Sequence, residues 1–251
     1  MEREIIELFM RHLKLQGDLP LGDDAGAIKW ESEWLVVTND MLVRTTDVPD
    51  IMTPEQVNEA CDLIIDGIAL GKTKRLLTRS SAKIRDLVCV TGDIGRALAG
   101  LKVYFESLEV GERTRKVLYE KLLEPKARVK EGVVLGRYAN SAIDISDGMS
   151  KELHLIAKMS GVKILIDSEK LPIRKEVFEV ADLLGLDPIE IALASGEEFE
   201  LIFTIPEKHL DKLDFDFAVI GRVEKGEGVY LRRYEKIEKM PILGWEHLSK
   251  F

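Results

Sequence analysis

Ser141-Ala-Ile-Asp-Ile-Ser-Asp-Gly-Met149 is a short apolar run that delivers Asp144, Ser146 and Asp147 together, immediately before a segment of helical periodicity. In an extended segment alternate side chains share a face, so Asp144 and Ser146 project the same way while Asp147 opens the turn at Gly148. Oxygen donors so spaced suit Mg²⁺. Hard divalent cations held by one or two carboxylates plus substrate phosphates are the usual equipment of phosphoryl transfer. Asp is also among the preferred helix caps, so a cap for the helix that follows is the competing reading of Asp147.

Working outward, Met149 to Met159 reads as a helix with Leu153, Ile156 and Ala157 inward and Gly161 as its C-terminal stop, and Val162 to Ile166 as the next strand. Upstream, residues 112 to 138 are helical, punctuated by Pro125. Asp86 to Gly100 is a strand, a glycine turn and a small-residue helix, which can place N–H groups near a phosphate. It lacks the Gly-Lys-Ser/Thr ending of a P-loop, and tight strand-to-helix packing explains its glycines as well. Downstream come a helix at 174–184, then Ala192 to Ile205, whose last part is a strand entered through Glu197, Glu198 and Glu200. Glutamates at a strand start are ordinarily expected on a solvated face. Further strands lie at 217–223 and 229–231, before an aromatic Gly244-Trp-Glu-His247 tail.

In the N-terminal part, residues 3 to 14 form an amphipathic helix, Gly22-Asp-Asp-Ala leads into a strand near Ile28, and Trp34 to Val43 is a second strand broken in its polar centre. Asp23, Asp24 and Asp40 therefore sit beside β-structure. Thr53, Pro54 and Gln56 make a helix start with a capping box. Asp62 to Leu70 fits either the continuation of that helix or a buried strand ended by Gly71. Strands alternating with helices in both halves indicate two α/β or α+β domains, dividing near residues 83–86 and drawn as 1–84 and 85–251.

Composition narrows the function. A formal net charge of −9 over 251 residues speaks against nucleic acid or an anionic membrane as the main partner. An acidic protein that handles phosphates needs a metal. No apolar run approaches the roughly 20 residues of a membrane span, and the N-terminus lacks a signal peptide's basic start and apolar centre, so the cytoplasm is the expected location. Cys61 and Cys89 sit in apolar settings without a Cys-x-x-Cys partner, and His12, His154, His209 and His247 are scattered. Buried, inert thiols and ordinary histidines are the expectation.

Taken in order, Gly22-Asp-Asp-Ala, Thr38-Asn-Asp-Met-Leu-Val, Met52-Thr-Pro-Glu-Gln, Thr78-Arg-Ser-Ser-Ala-Lys, Val90-Thr-Gly, Ile143-Asp-Ile-Ser-Asp-Gly and Ser195-Gly-Glu-Glu-Phe-Glu-Leu resemble the thiamine-monophosphate kinase family. That family belongs to the ATP-binding superfamily of aminoimidazole ribonucleotide synthetase. The resemblance implies a two-domain fold, an N-terminal sheet with flanking helices plus a C-terminal α+β sandwich. It also implies transfer of the γ-phosphoryl group of ATP to thiamine phosphate, giving thiamine diphosphate, assisted by Mg²⁺. By the same resemblance Asp24, Asp40, Asp144 and Asp147 match metal ligands, with Thr38 and Asn39 at the metal-phosphate site. Arg79 and Ser146 match nucleotide contacts, Arg79 also as a charge stabiliser. Glu197 and Trp245 fall where the family holds thiamine, a cationic aromatic facing a carboxylate and an indole. Individually, Trp245 could be a buried tail anchor and Arg79 a surface ion-pair partner. No general base is implied, because the acceptor phosphate is already an anion.

The chain departs from the family in four places. Several tens of residues expected after Val57 are absent, and with them two metal-binding carboxylates; if the chain runs directly from Val57 to Asn58, crippled kinase activity is expected, and if a segment intervenes, a complete site with residues 62 to 70 as a strand. Asn39 replaces a Thr, Ser195 a Gly, and Asp47 stands where many members place a substrate-facing His. The family's homodimer, formed through N-terminal sheets, is expected here too. A sibling phosphotransferase or synthetase with another acceptor is the alternative within the superfamily, and a noncatalytic nucleotide-binding protein the alternative outside it.

Overall fold

The computed structural model describes residues 26–30, 32–43 and 64–245, within a chain that divides into two compact units, Met1–Leu76 and Leu77–Phe251. Several sequence expectations lie outside the described residues. These are the 3–14 helix, the Gly22 turn with Asp23 and Asp24, Asp47, the Thr53 helix start, Cys61, His12 and His247.

The described part of the first unit is a three-stranded antiparallel sheet of β1 (Gly26–Trp30), β2 (Glu33–Val43) and β3 (Ile64–Thr73), with β2 central. Contrary to expectation, β2 is not broken at its polar centre. Thr38, Asn39 and Asp40 stand opposite Ala69, Ile68 and Gly67, so the ladder to β3 carries the strand through Asn39 and Asp40, residues of poor β propensity. Within the ambiguous stretch, residues 64–70 form strand rather than helix, because Ile64, Ile65 and Ile68 pair with Val43, Leu42 and Asn39 of β2. It is not a fully buried strand: Ile68 and Leu70 are 65% and 71% exposed, the period-2 signature of a face left open.

The second unit is a seven-stranded mixed sheet with helices. Its strands are β4 (Leu87–Thr91), β5 (Ser141–Asp144), β6 (Lys163–Asp167), β7 (Leu201–Ile205), β8 (Phe217–Glu224), β9 (Gly228–Arg233) and β10 (Lys236–Lys239). Their order is β10-β9-β6-β8-β4-β7-β5, antiparallel throughout except for the β6–β9 pair. Its helices are α1 (Arg96–Phe105), α2 (Glu112–Leu123), α3 (Val129–Tyr138), α4 (Met149–Ser160), α5 (Lys175–Leu184) and α6 (Pro188–Ala194).

Alternation along the strands sorts side chains into two layers. Val88, Val90 and Ile202 join Met149, Leu153 and Ile156 of α4 in the main core. Cys89, Phe203 and Ile205 point into a second cluster with Leu135 of α3 and the edge-to-face rings of Phe215 and Phe217. A third cluster, Ala99, Val103, Leu118, Val177, Val180, Ala181 and Ile191, packs α1, α2, α5 and α6 together. Each fully buried large apolar side chain contributes about 1.5–3 kcal/mol.

Helix α4 ends as its sequence suggests. The Val162 and Gly161 amides donate to Ala157 O and Lys158 O, the paired bonds of a Schellman motif. Two elements were not anticipated. Helix α6 has Pro188 at its first position and Asp187 accepting from Ile189 N–H at 2.9 Å, a cap signal overlooked beside the acidic stretch that follows. Strand β10 is Lys-Ile-Glu-Lys, a polar edge that pairs with β9 without any hydrophobic pattern to announce it. Among the described residues no helix is long and apolar enough to cross a membrane.

Candidate active site

Strand β5 is the sheet's edge, paired only with β7 among the named strands, and Asp144 at its end stands opposite Leu201. Beyond that pair, the segment from Ile145 to Gly148 is gripped from two sides. On one side Ile145 N–H donates to Glu200 O at 2.8 Å, while Ile145 O accepts from Glu198 N at 3.1 Å and Phe199 N at 3.0 Å. Glu197 N–H donates to Ser146 O at 2.7 Å. On the other side Trp245 N–H donates to Asp147 O at 2.8 Å, and Ser150 of α4 stitches the preceding tail by donating to Pro241 O and accepting from Leu243 N–H. Ser146, Asp147, Glu197 and Trp245, far apart in sequence, are thereby brought to one place. The packing leaves no room for a side chain at residue 148. Gly148 has φ 139°, and an added Cβ would lie 2.9 Å from Gly244 Cα and 3.1 Å from Ala194 O.

The capping explanation of Asp147 fails. Helix α4 is entered through Gly148 without any side-chain cap bond. The reciprocal bond comes from Glu152, whose Oε1 accepts from Asp147 N–H at 3.3 Å. Asp147's own carboxylate holds the Lys151 ammonium at 2.5 Å, and Lys151 also donates to Trp245 O at 3.0 Å. Glu152 is buried, and burial pushes its carboxyl up to about 7, the Asp147 and Asp144 charges adding to a rise that the Asp147 N–H bond opposes. Glu152 was missed from sequence; its one signal was its place in the first turn of the helix behind Asp147, as in a capping box.

Among the described residues no group of three or more His, Cys, Asp or Glu is arranged to hold a metal ion by itself. The donor set nevertheless fits a hard cation that takes one or two carboxylates and completes its shell with phosphate oxygens and water. Asp144 and Asp147 would supply the carboxylates and Ser146 a neighbouring hydroxyl, and Asp147 here holds the positive Lys151 ammonium.

Arg79 is buried, 7% exposed, and not a surface ion-pair partner. Its segment runs beside the same sheet edge. Thr78 bridges Ser141, Ala142 N–H donates to Thr78 O at 3.2 Å, and Ser160 Oγ of α4 donates to Arg79 O at 3.3 Å. Trp245, 54% exposed, is no buried anchor. In the first unit Thr38 is exposed on β2, with Asn39 and Asp40 following it in the same strand, while Asp24 and Asp47 lie outside the described residues.

Two further expectations are settled. The glycine turn before α1 presents its amides to a carboxylate of the chain itself: Glu198 Oε1 accepts from Gly95 N at 2.7 Å and Ala97 N at 3.1 Å. Packing, not phosphate, accounts for those glycines. Ser195 adds to this cap, accepting from Leu98 N–H and donating to Glu198 Oε1 at 2.7 Å. Glu198 and Glu200 are 0% and 1% exposed, so the solvated face expected for them is wrong. Lys121, Arg128 and Thr91 supply Glu200's partners, and Lys121 lies near Glu198 as well. Burial raises the Cys89 thiol to about 12, as expected of an inert cysteine.

Comparison with known proteins completes the picture. Residues 85–233 match the family model for the AIR synthase related protein, C-terminal domain. The thiamine-monophosphate kinases of Pyrococcus abyssi and Pyrococcus horikoshii are 46% and 44% identical over 308 aligned positions, covering 99% of this chain and 96% of each relative. An alignment of 308 positions cannot be filled by 251 residues, so several tens of positions in those relatives face no residue here, in keeping with the shortening after Val57. Among solved structures, the thiamine monophosphate kinase of Aquifex aeolicus is 26% identical with a TM-score of 0.78, covering 92% of this chain and 96% of its own. AaThiL complexed with AMPPCP and TMP is 27% identical with a TM-score of 0.85, covering 98% and 97%. The mixed sheet with its helices is therefore the AIR synthase-related fold. Matched along nearly all of its length, the chain belongs to the thiamine-monophosphate kinase family.

Proposed function

We propose that this protein phosphorylates thiamine monophosphate to thiamine diphosphate at the expense of ATP. The observation that carries the reading is the convergence of Asp147, Ser146, Glu197 and Trp245 on one segment through backbone hydrogen bonds of 2.7 and 2.8 Å. A cation-binding carboxylate and a carboxylate–indole pair suited to a cationic aromatic ligand thus belong to one piece of structure. AMPPCP, a methylene analogue of ATP, together with TMP in the similar AaThiL supports the same pair of substrates.

Asp144 and Asp147 would hold Mg²⁺ in the second unit, and Asp24, Asp40 and Thr38 are the corresponding candidates of the first. When bound, Mg²⁺ offsets the negative charge of the phosphates and fixes their orientation. The chain's own residues do the rest. Arg79 and Ser146 bind nucleotide phosphates, with Asn39 as a further oxygen donor. Glu197 and Trp245 orient the thiamine cation, and Asp47 is a further candidate for contact with that substrate. No side chain need remove a proton, because the attacking phosphate oxygen is already ionised. Catalysis is alignment and charge stabilisation.

The protein works as a homodimer in the cytoplasm on this reading, and the exposed Ile68 and Leu70 of β3 offer apolar area for a second copy. The experiment is a discontinuous assay for thiamine diphosphate with mass-verified protein, ATP, thiamine monophosphate and varied Mg²⁺. Binding of ATP without thiamine diphosphate formation would favour a noncatalytic nucleotide-binding protein, the reading to which the shortened N-terminal unit otherwise lends support.

A further inference from the structure

Two buried glutamates follow Glu197 in the turn that presents it, and the reaction outlined above uses neither. Glu200 is held by four donors. Its Oε1 accepts from Lys121 Nζ at 2.6 Å and Arg128 Nη2 at 2.7 Å, and its Oε2 from Thr91 Oγ1 at 2.6 Å and Arg128 Nε at 2.7 Å. Glu198 Oε1 takes the two α1 amides and the Ser195 hydroxyl, while its Oε2, buried without a hydrogen bond, lies 3.6 Å from Lys121 Nζ. One lysine thus spans both carboxylates, and a two-pronged arginine fixes the second.

On either side of Glu198 the backbone is strained. Glu197 and Phe199 have φ of 55° and 50°, a left-handed region that is unfavourable for a residue with a Cβ. Such conformations persist only where the surroundings over-determine them. Here the alternation does so. Glu198 and Glu200 are drawn inward by their partners, which turns Glu197 out to solvent and aims three successive amides, 197 to 199, at the carbonyls of Ile145 and Ser146.

We propose that Glu198 and Glu200, with Lys121 and Arg128, are positioning residues that hold Glu197 and the Asp144–Asp147 segment in register for the thiamine phosphate acceptor, an inference that rests on the function proposed above. None of the four touches substrate. They act through the turn. Loss of the arginine fork lets Glu197 and Phe199 relax toward negative φ, which withdraws the Glu197 carboxylate and loosens Ser146.

Arg128 is the member to change, because its side chain is 28% exposed and Lys121 and Thr91 remain on Glu200. Arg128→Ala should raise KM for thiamine monophosphate about tenfold or more while KM for ATP moves by less than about twofold. Hydrogen exchange at the 197–199 amides should accelerate by a similar factor. Arg128→Lys, which keeps the charge but not the fork, should fall between. Thr114→Val, which removes the 2.7 Å bond from α2 to Glu179 without touching the network, is the control for general loosening of the helix. An equal rise in both KM values, unchanged exchange at 197–199, or the same effects in Thr114→Val would overturn the proposal. If Arg128→Ala does not fold, Arg128→Lys carries the comparison with a smaller shift. Wild-type protein that forms no thiamine diphosphate overturns the proposed function instead, and the exchange measurement, which needs no substrate, still decides whether the network holds the turn.

Discussion

Asp147→Asn separates chemistry from stability. The substitution keeps shape, and the backbone bonds of residue 147 to Trp245 and Glu152 do not depend on its carboxylate. Among the described residues the bond it loses is the pair with Lys151, four residues on along the helix, with side chains 31% and 19% exposed. An i,i+4 pair at the surface contributes about 0.3–0.5 kcal/mol, and 1 kcal/mol moves the melting temperature of a domain this size by roughly 2–4 °C. The expected fall in Tm is therefore below about 2 °C. Activity should respond on a different scale. Removing one group that stabilises transition-state charge typically costs about 10²–10³-fold in turnover. The assay measures thiamine diphosphate by thiochrome fluorescence across a Mg²⁺ titration, beside a thermal melt. The account expects a loss of about 10²-fold or more, a higher Mg²⁺ requirement and an almost unchanged melt. Turnover within about threefold of wild type at saturating Mg²⁺ would refute the metal assignment. A large drop in Tm would refute the claim that Asp147 carries little of the fold.

Other consequences are open to test. Burial pushes the Glu200 carboxyl upward, but the hydrogen bonds from Arg128, Lys121 and Thr91 outweigh it and leave the group below its ordinary value of 4.5. The stability this contributes is present above pH 4.5 and is lost as pH falls through the lower folded value. Glu200→Gln should accordingly flatten the acid limb of a pH–stability curve measured by urea unfolding, and an unaltered limb would contradict the assignment. Gly196→Ala places a Cβ 2.5 Å from Ser146 O, a backbone clash expected to cost about 1–3 kcal/mol in urea unfolding together with most of the activity. Cys89 should resist iodoacetamide at pH 7.5 in the folded protein and react on unfolding, as peptide mass mapping would reveal. Grafting the missing segment of the Pyrococcus abyssi relative after Val57 should raise turnover; an unchanged rate would show that the lost carboxylates do not limit this chain.

Much of the second unit was readable in advance because its elements carry strong local punctuation. Gly161 stops α4, Pro125 parts α2 from α3, and the apolar alternation of Leu201–Ile205 marks β7. The site's components were also visible as motifs, but what joins them was not. Backbone bonds between residue 147 and the tail, or between 145 and 198–199, leave no trace in side-chain pattern. The burial of Glu198 and Glu200 was hidden for a related reason: their cations, Lys121 and Arg128, come from α2 and the start of α3, about seventy-five residues earlier, and long-range pairing overrides the local expectation for charged residues. In β2, likewise, the polar residues 38–40 stay in a strand because β3 pairs with them.

The most direct measurement is product formation by the intact chain. Protein verified by mass, incubated with ATP, thiamine monophosphate and Mg²⁺, should yield ADP and thiamine diphosphate in equal amounts, and chelating the Mg²⁺ should stop both. ATP binding, seen by calorimetry, with no thiamine diphosphate at any Mg²⁺ concentration would contradict the account.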